Sequence, residues 1–380
     1  MLFNVKEYIF WQAGLLAILE YFVPQFIPTH FGHNWLVLSP YLRFAQYFGV
    51  VFFTFLSFMI AHCLYSLVFK RGVNKLHFGF ITVSLIIMFL IPLTQVGEKK
   101  ILKIRIVQLN EKAMTSPEEL KLKSKKEITE IYIDKIKAQL NRYMVQTTEN
   151  WNQDIDLVVW PESSFPLNLN LQQLDDETNE STKVVKNIIS RIKRDFIFGG
   201  TSIRSTTDVD SIYVSGFYYS ASGKFQGIYN KNLLFPIGER SFFSSGALST
   251  EKGEEKVQYT VLRGDTFPLF KLVKKDIDLL PIICSEMIFS KYIGEYLRSV
   301  SSKPSAIVNL TNDYNFFDTS GPLQHFFLAR WRAVEYNIPT IRAAATGIST
   351  IIYPDGSLGK QMAFNKKGYL DIVLKSHNNL

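Results

Sequence analysis

Residues 44–69, FAQYFGVVFFTFLSFMIAHCLYSLVF, carry no charged side chain. An α-helix rises 1.5 Å per residue, so about 20 apolar residues cross a ~30 Å hydrocarbon core, and a backbone in lipid must satisfy its own hydrogen bonds. This stretch therefore commits part of the chain to a helix in a membrane. Two weaker stretches flank it. Residues 78–96 are closed by Pro92 and by Glu98-Lys99-Lys100, and residues 8–27 contain Glu20 and Pro24. The stretch at 8–27 lacks the basic leader and small-residue cleavage site of a signal peptide, so it too reads as a span. The expectation is a membrane domain over 1–97 with about three transmembrane helices, at 8–27, 44–69 and 78–96, and a second domain over 98–380. Lys70, Arg71 and Lys75 fill the turn between the second and third spans, which places that turn in the cytoplasm. Three crossings then leave everything after Val96 on the outer side, against the basic flank of Lys99, Lys100, Lys103 and Arg105. Glu20 inside an apolar span reads either as a functional carboxyl or as one paired within the helices.

Composition narrows the rest. Hydrophobic residues make up 47% and charged residues 20% of the 380, which excludes intrinsic disorder. Two cysteines, Cys63 and Cys284, exclude a disulfide-stapled scaffold. Of the formal charge of +8, residues 1–97 hold +3, and the remaining +5 is too diffuse for a nucleic-acid groove. The six histidines, at 30, 33, 62, 77, 325 and 377, show no metal-ligand spacing and no obvious pairing with a cysteine.

From residue 101 strands and helices alternate. Strands are expected at ILKIRIVQLN (101–110), DLVVWPES (156–163), FIFGGTSI (196–203), SIYVSGFYYS, KFQGIYNK, IDLLPIICSEMIF and SAIVNLTND (305–313), with TIRAAATGISTIIYPDGS closing the sheet. Ser116-Pro117-Glu118-Glu119 is a capping box for a helix running through Tyr143, and helices follow near 182–194 and 323–336. The pattern is a layered α/β fold. Gly199-Gly200 reads as a bend at a strand end, because no dinucleotide fingerprint accompanies it.

Three of these runs end in a reactive side chain. Glu162 follows LVVWP, Lys231 follows GIYN, and Cys284 follows LLPII. Catalytic groups sit at strand ends, held by the rigid sheet behind them. A thiolate is a nucleophile, a carboxylate can take its proton, and an ammonium with the backbone N–H groups after the cysteine can hold an oxyanion. Singly, each also has a plain reading: buried filler, surface lysine, helix cap. Cys63, within a span, reads as filler.

The wording around them decides. VVWPESSFP, YNKNLLFPIGE, PIICSE and VNLTND followed by GPLQHFFLARWRAVEYNIPTIRAAATGIS closely resemble the apolipoprotein N-acyltransferases, the bacterial membrane branch of the nitrilase (carbon–nitrogen hydrolase) superfamily. The resemblance covers residues 101–360 in order. It implies a nitrilase-like αββα sandwich facing the periplasm of the inner membrane and a Glu162–Lys231–Cys284 triad. Glu239 and Glu286 would support that triad, and Trp160 would line the substrate site. It further implies ping-pong chemistry without metal or other cofactor. A phospholipid donates its acyl chain to Cys284 as a thioester, and the α-amine of a diacylglyceryl-cysteine lipoprotein accepts it. The expected partners are therefore phospholipid, diacylated lipoprotein and membrane lipid, with no nucleic acid. The family normally carries about eight spans, an aromatic where Ser285 stands, and an NDAWFG-like loop where Asn312–Phe317 reads NDYNFF. The short membrane domain brings in a companion membrane subunit as an expected partner. It also keeps two alternatives open: a membrane-tethered amidase or acyltransferase with another acceptor, and a non-catalytic lipoprotein-binding subunit.

Overall fold

A computed structural model of the chain describes residues 5–25, 27–42, 44–69, 74–90, 99–111, 125–151, 154–204, 211–234, 247–250, 257–314 and 319–377. Helices stand at all three apolar stretches: α1 (Val5–Phe22), α2 (Ala45–Val68) and α3 (Lys75–Leu90). Among the described residues only α2 is long and apolar enough to cross a membrane. The expected first span is cut short because α1 ends just before Pro24, and the residue preceding a proline is disfavoured in a helix. The end of the expected third span, residues 91–96, lies outside the described residues. The helices pack through Ile9, Ala13, Leu56, Met59, Cys63 and Ile81, so Cys63 is filler as expected. Glu20 is paired between the helices. Its carboxylate accepts the Phe31 N–H at 2.6 Å and the Thr54 hydroxyl at 2.9 Å, fastening the loop after α1 to α2.

The remaining strands build two stacked sheets. The first contains β1 (Lys99–Gln108), β2 (Leu157–Trp160), β3 (Asn168–Asn170), β4 (Asp195–Arg204), β5 (Ser211–Tyr219), β6 (Phe225–Asn230), β7 (Ala247–Thr250) and β8 (Val257–Val261). The second contains β9 (Phe270–Leu272), β10 (Ile277–Ile283), β11 (Ala306–Thr311), β12 (Thr340–Ala344), β13 (Ser349–Ile352) and β14 (Leu358–Met362). The last strand, β15 (Gly368–His377), returns to the first sheet and pairs antiparallel with β1 from Lys99↔His377 to Gln108↔Gly368. Each sheet has a parallel centre, β1-β2-β4 in one and β10-β11-β12 in the other. Parallel strands covered on both faces need near-continuous apolar runs, which LVVW and AIVNLT supply.

Strand parity sorts the side chains. Leu102, Ile104, Ile106, Leu157, Val159 and Ile197 enter the core between the sheets. Their neighbours Val107, Val158, Trp160, Phe196 and Phe198 turn outward under α4 (Lys125–Thr148) and α5 (Glu180–Ile192). Residues of α6 (Ser290–Ser299) and α7 (Gly321–Tyr336), among them Ile293, Tyr296, Phe326, Ala329 and Ala333, cover the second sheet. The result is the expected αββα sandwich.

Several local readings change. The capping box at 116–119 lies outside the described residues, and its helix is described as α4. TIRAAATGISTIIYPDGS is two antiparallel strands, β12 and β13, and it does not close the sandwich; β15 does, on the other sheet. After β10 the chain does not stay extended but winds into a short 3-10 turn, Cys284–Ile288.

The N-terminal helices dock on α7. Trp331, fully buried, meets the edges of His33 and Phe53 at 5.0 and 5.6 Å and packs with Leu36, Leu42, Val50 and Met88. The Arg332 guanidinium reaches His33 Nε2 at 3.1 Å and pairs with Glu335, whose carboxylate accepts the Ser290 hydroxyl. α2 bends at Gly49, where φ is 59°.

Candidate active site

The parallel centres of both sheets end at the same side of the sandwich, and the three candidate residues stand in the loops that follow. Carboxyl ends of parallel strands are where α/β folds hold ligands. Glu162 comes after β2, Lys231 directly after β6, and Cys284 directly after β10. All three are buried, Lys231 completely. Lys231 Nζ lies 3.9 Å from Glu162 Oε1, an ion contact between two charges that the sheet core holds out of water.

Cys284 has φ of +49°, the left-handed region that a residue with a Cβ avoids. The strained residue marks the switch from strand to 3-10 turn and turns the thiol out of the strand line. Sγ lies 3.9 Å from the Asn312 carbonyl, at the end of the neighbouring strand β11.

Glu286, two residues on, ties the loop after Lys231 to the turn at Cys284. Its Oε1 accepts the N–H groups of Asn232 and Leu233 at 2.7 and 2.9 Å. Its Oε2 accepts the Tyr229 hydroxyl at 2.7 Å and the Ile283 N–H at 2.9 Å. One fully buried carboxylate thus holds the loop bearing Lys231 against the turn bearing Cys284. Burial raises its carboxyl above the ordinary range, while the Lys231 charge and the N–H donors oppose the rise. Tyr229 stays a hydroxyl donor, because burial and then the Glu286 charge push its pKa well above the usual phenol range.

Gly199 shapes the Glu162 loop. A Cβ there would stand 2.6 Å from Glu162 Cα and 2.7 Å from the Pro161 carbonyl oxygen. The Gly199 N–H donates to that carbonyl at 3.1 Å, and its own carbonyl accepts from Phe165 N and Ser164 Oγ. The glycine pair is therefore inside β4 rather than at its end, and it serves close backbone approach.

Two expectations change or fall away. Trp160 is fully buried, donates to Thr147 Oγ1 at 2.9 Å and stacks on Tyr143. Its strand parity sends it under α4, away from the triad, so it anchors the strand before Glu162 rather than lining a cavity. Glu239 lies outside the described residues.

Sequence reasoning missed a second layer of polar residues. His325, on α7, approaches the Cys284 carbonyl oxygen with Nε2 at 3.1 Å and Asp313 Oδ1 with Nδ1 at 2.7 Å. Arg342 donates to Asp313 Oδ2 at 2.8 Å and to Asn309 Oδ1 at 2.9 Å. Burial works against ionised Asp313, but Arg342 and His325 outweigh it and hold the carboxyl below its usual range. Gly347, with φ of 110°, leaves the room: a Cβ would lie 2.2 Å from Asp313 Oδ2. A histidine does reach the cysteine, through its carbonyl rather than its sulfur. Forty-one positions separate the two, so no local spacing could reveal the contact; the signal was that Asn309 and Asp313 fall in VNLTND and His325, Arg342 and Gly347 in the stretch GPLQHFFLARWRAVEYNIPTIRAAATGIS.

A model of the carbon-nitrogen hydrolase family matches residues 103–376. The apolipoprotein N-acyltransferase of Rickettsia bellii (strain RML369-C) is 30% identical over 228 residues, 60% of this chain and 43% of that relative. The protein of the same name from Bradyrhizobium diazoefficiens is 33% identical over 232 residues, 58% of this chain and 40% of the relative. Among solved structures, Saccharomyces cerevisiae Nit3, a member of branch 10 of the nitrilase superfamily, is similar at 20% identity and a TM-score of 0.49 over 73% of this chain and 90% of its own. The chain spans less than half the length of these curated relatives. With most of its residues inside the family model, the chain belongs to the carbon-nitrogen hydrolase family.

Proposed function

We propose that this chain is a membrane-bound N-acyltransferase that moves an acyl chain from a phospholipid to the α-amine of a lipoprotein's N-terminal diacylglyceryl-cysteine. The reading rests on one observation. A strained cysteine and a buried Glu–Lys pair end the strands of a sandwich whose α7 packs against a span-length apolar helix. Similarity to the apolipoprotein N-acyltransferases supplies the substrate class.

In the first half-reaction the Glu162 carboxylate takes the Sγ proton and the thiolate attacks the ester carbonyl carbon. Lys231 Nζ and the Ser285 N–H stabilise the oxyanion. The C–O bond then breaks, lysophospholipid leaves with the proton from Glu162, and Cys284 carries a thioester. In the second half-reaction Glu162 takes a proton from the attacking amine, the C–N bond forms, and the C–S bond breaks to return the thiol. Glu286 positions Lys231 for both. A catalytic domain on the periplasmic face of the inner membrane suits two substrates anchored in lipid.

Intact-protein mass spectrometry after incubation with phosphatidylethanolamine tests this. A mass gain of one acyl chain, removed by hydroxylamine, absent in Cys284→Ala and retained in Cys63→Ala, is the expected result. An unmodified, folded wild-type chain that instead releases ammonia from soluble amides would sink the acyl-transfer reading.

A further inference from the structure

His325 has two ring nitrogens, and both face acceptors. A backbone carbonyl has no proton to give, so the contact with Cys284 O needs a proton on Nε2. The 2.7 Å contact between Nδ1 and Asp313 Oδ1 needs another, on one atom or the other. His325 and Asp313 together therefore hold two protons. Whether the second sits on the ring or on the carboxyl, the pair is neutral as a whole, and Arg342 on Oδ2 makes the cluster +1. Burial and then Arg342 hold the ring's pKa below its ordinary value, the Asp313 charge and the Cys284 carbonyl offsetting them only in part, so it is the two contacts that place the second proton. The proton count does not depend on that balance.

All three groups are buried, so this charge is poorly screened by water. It stands directly behind a cysteine whose backbone is strained and whose carbonyl also lies 3.5 Å from Asn309 Nδ2. We propose that His325 is a positioning residue for the nucleophile: its Nε2–H clamps the Cys284 carbonyl in the strained turn, and the extra proton it shares with Asp313 supplies a positive charge that favours the thiolate. The inference rests on reading Cys284 as the nucleophile. Among the described residues, the other charged groups on the loops that meet here are Glu162, Lys231 and Glu286; Arg332 and Glu335 lie further along α7.

Two variants separate charge from shape. His325→Gln keeps a donor for the carbonyl but leaves Asp313 a bare anion, so the cluster falls from +1 to zero. Asp313→Asn leaves histidine and amide neutral beside Arg342, so the cluster stays at +1. The test is the rate of iodoacetamide alkylation at Cys284 against pH, read by peptide mass spectrometry on the full detergent-solubilised chain. In His325→Gln the midpoint rises, alkylation at pH 7 slows about tenfold, and the high-pH plateau is unchanged. In Asp313→Asn the midpoint stays with wild type. An unmoved midpoint in His325→Gln, or equal shifts in both variants, overturns the proposal. If His325→Gln fails to fold, ring-15N spectra of the histidine-labelled wild-type chain decide. Protons on both contacts of His325 at neutral pH uphold it, and a bare Nε2 overturns it. Alkylation is read whether or not the thiol is ever acylated, so failure here and failure of the acyl-transfer reading are distinct results.

Discussion

At the residue scale the site depends on two kinds of permission. Cys284 is permitted a left-handed backbone because its neighbours grip it: Glu286 from the Ile283 N–H, His325 from the carbonyl. The Glu162 turn is permitted its place because Gly199 has no side chain. Gly199→Ala puts a methyl group where Glu162 Cα and the Pro161 carbonyl already stand. Overpacking against backbone costs about 1–3 kcal/mol, and relief must come from moving the Glu162 loop. The expected result is a lowered melting temperature together with an acylation rate at least tenfold down. Full activity in that variant would show that the loop has slack. None of this is visible at single positions, since a strand reads the same whether or not another backbone lies against it.

At the scale of elements, α7 deserves its length. Its first half carries His325 to the cysteine, and its second half carries Trp331 and Arg332 to the N-terminal helical segment. Trp331→Ala removes the indole that packs on both His33 and Phe53 and should cost about 3–5 kcal/mol, as buried aromatic truncations do. Thermal unfolding in detergent measures it, and a loss below about 1 kcal/mol would mean that the helices are held elsewhere. The same contact predicts a pH dependence. Burial, with Arg332 and His30 beside it, pushes His33 down to about 2, so the folded chain keeps this ring neutral. A depressed histidine stabilises the fold fully above its unfolded value near 6.5, and the contribution drains away as pH falls from there toward 2. The melting temperature should therefore drop as pH is lowered from 7 to 5, and His33→Gln should flatten that slope. An identical slope in the variant would assign the effect to other groups. The expected spans meet the structure at this scale too. Pro24 stopped α1 early, a proline effect that apolar composition alone conceals.

At the scale of the whole molecule, the sandwich was legible because buried parallel strands need unbroken apolar runs, and LVVW, LLPII and AIVNL stand out from any surface sequence. Glu162, Lys231 and Cys284 stood out as candidates because each comes at or just after the end of such a run or a strand. What stayed hidden was closure. β15 pairs along all of β1 and puts Ile372 and Leu374 into the core between the sheets, a pairing between distant parts of the chain that no local pattern specifies. Trp160 shows the converse. The motif that holds it is sound, but which way an indole turns is set by pleat parity and by the helix laid over it.

The sequence by itself determined the apolar helix at 44–69, the strand runs and the reactive residues at their ends, since those follow from local composition and periodicity. Only the tertiary structure decided that Glu286 bridges two loops, that Asp313, His325 and Arg342 form one cluster behind Cys284, and that α7 joins this cluster to the N-terminal helices. Those contacts link positions tens to hundreds of residues apart, and only the packing of two sheets against each other brings them within hydrogen-bonding distance.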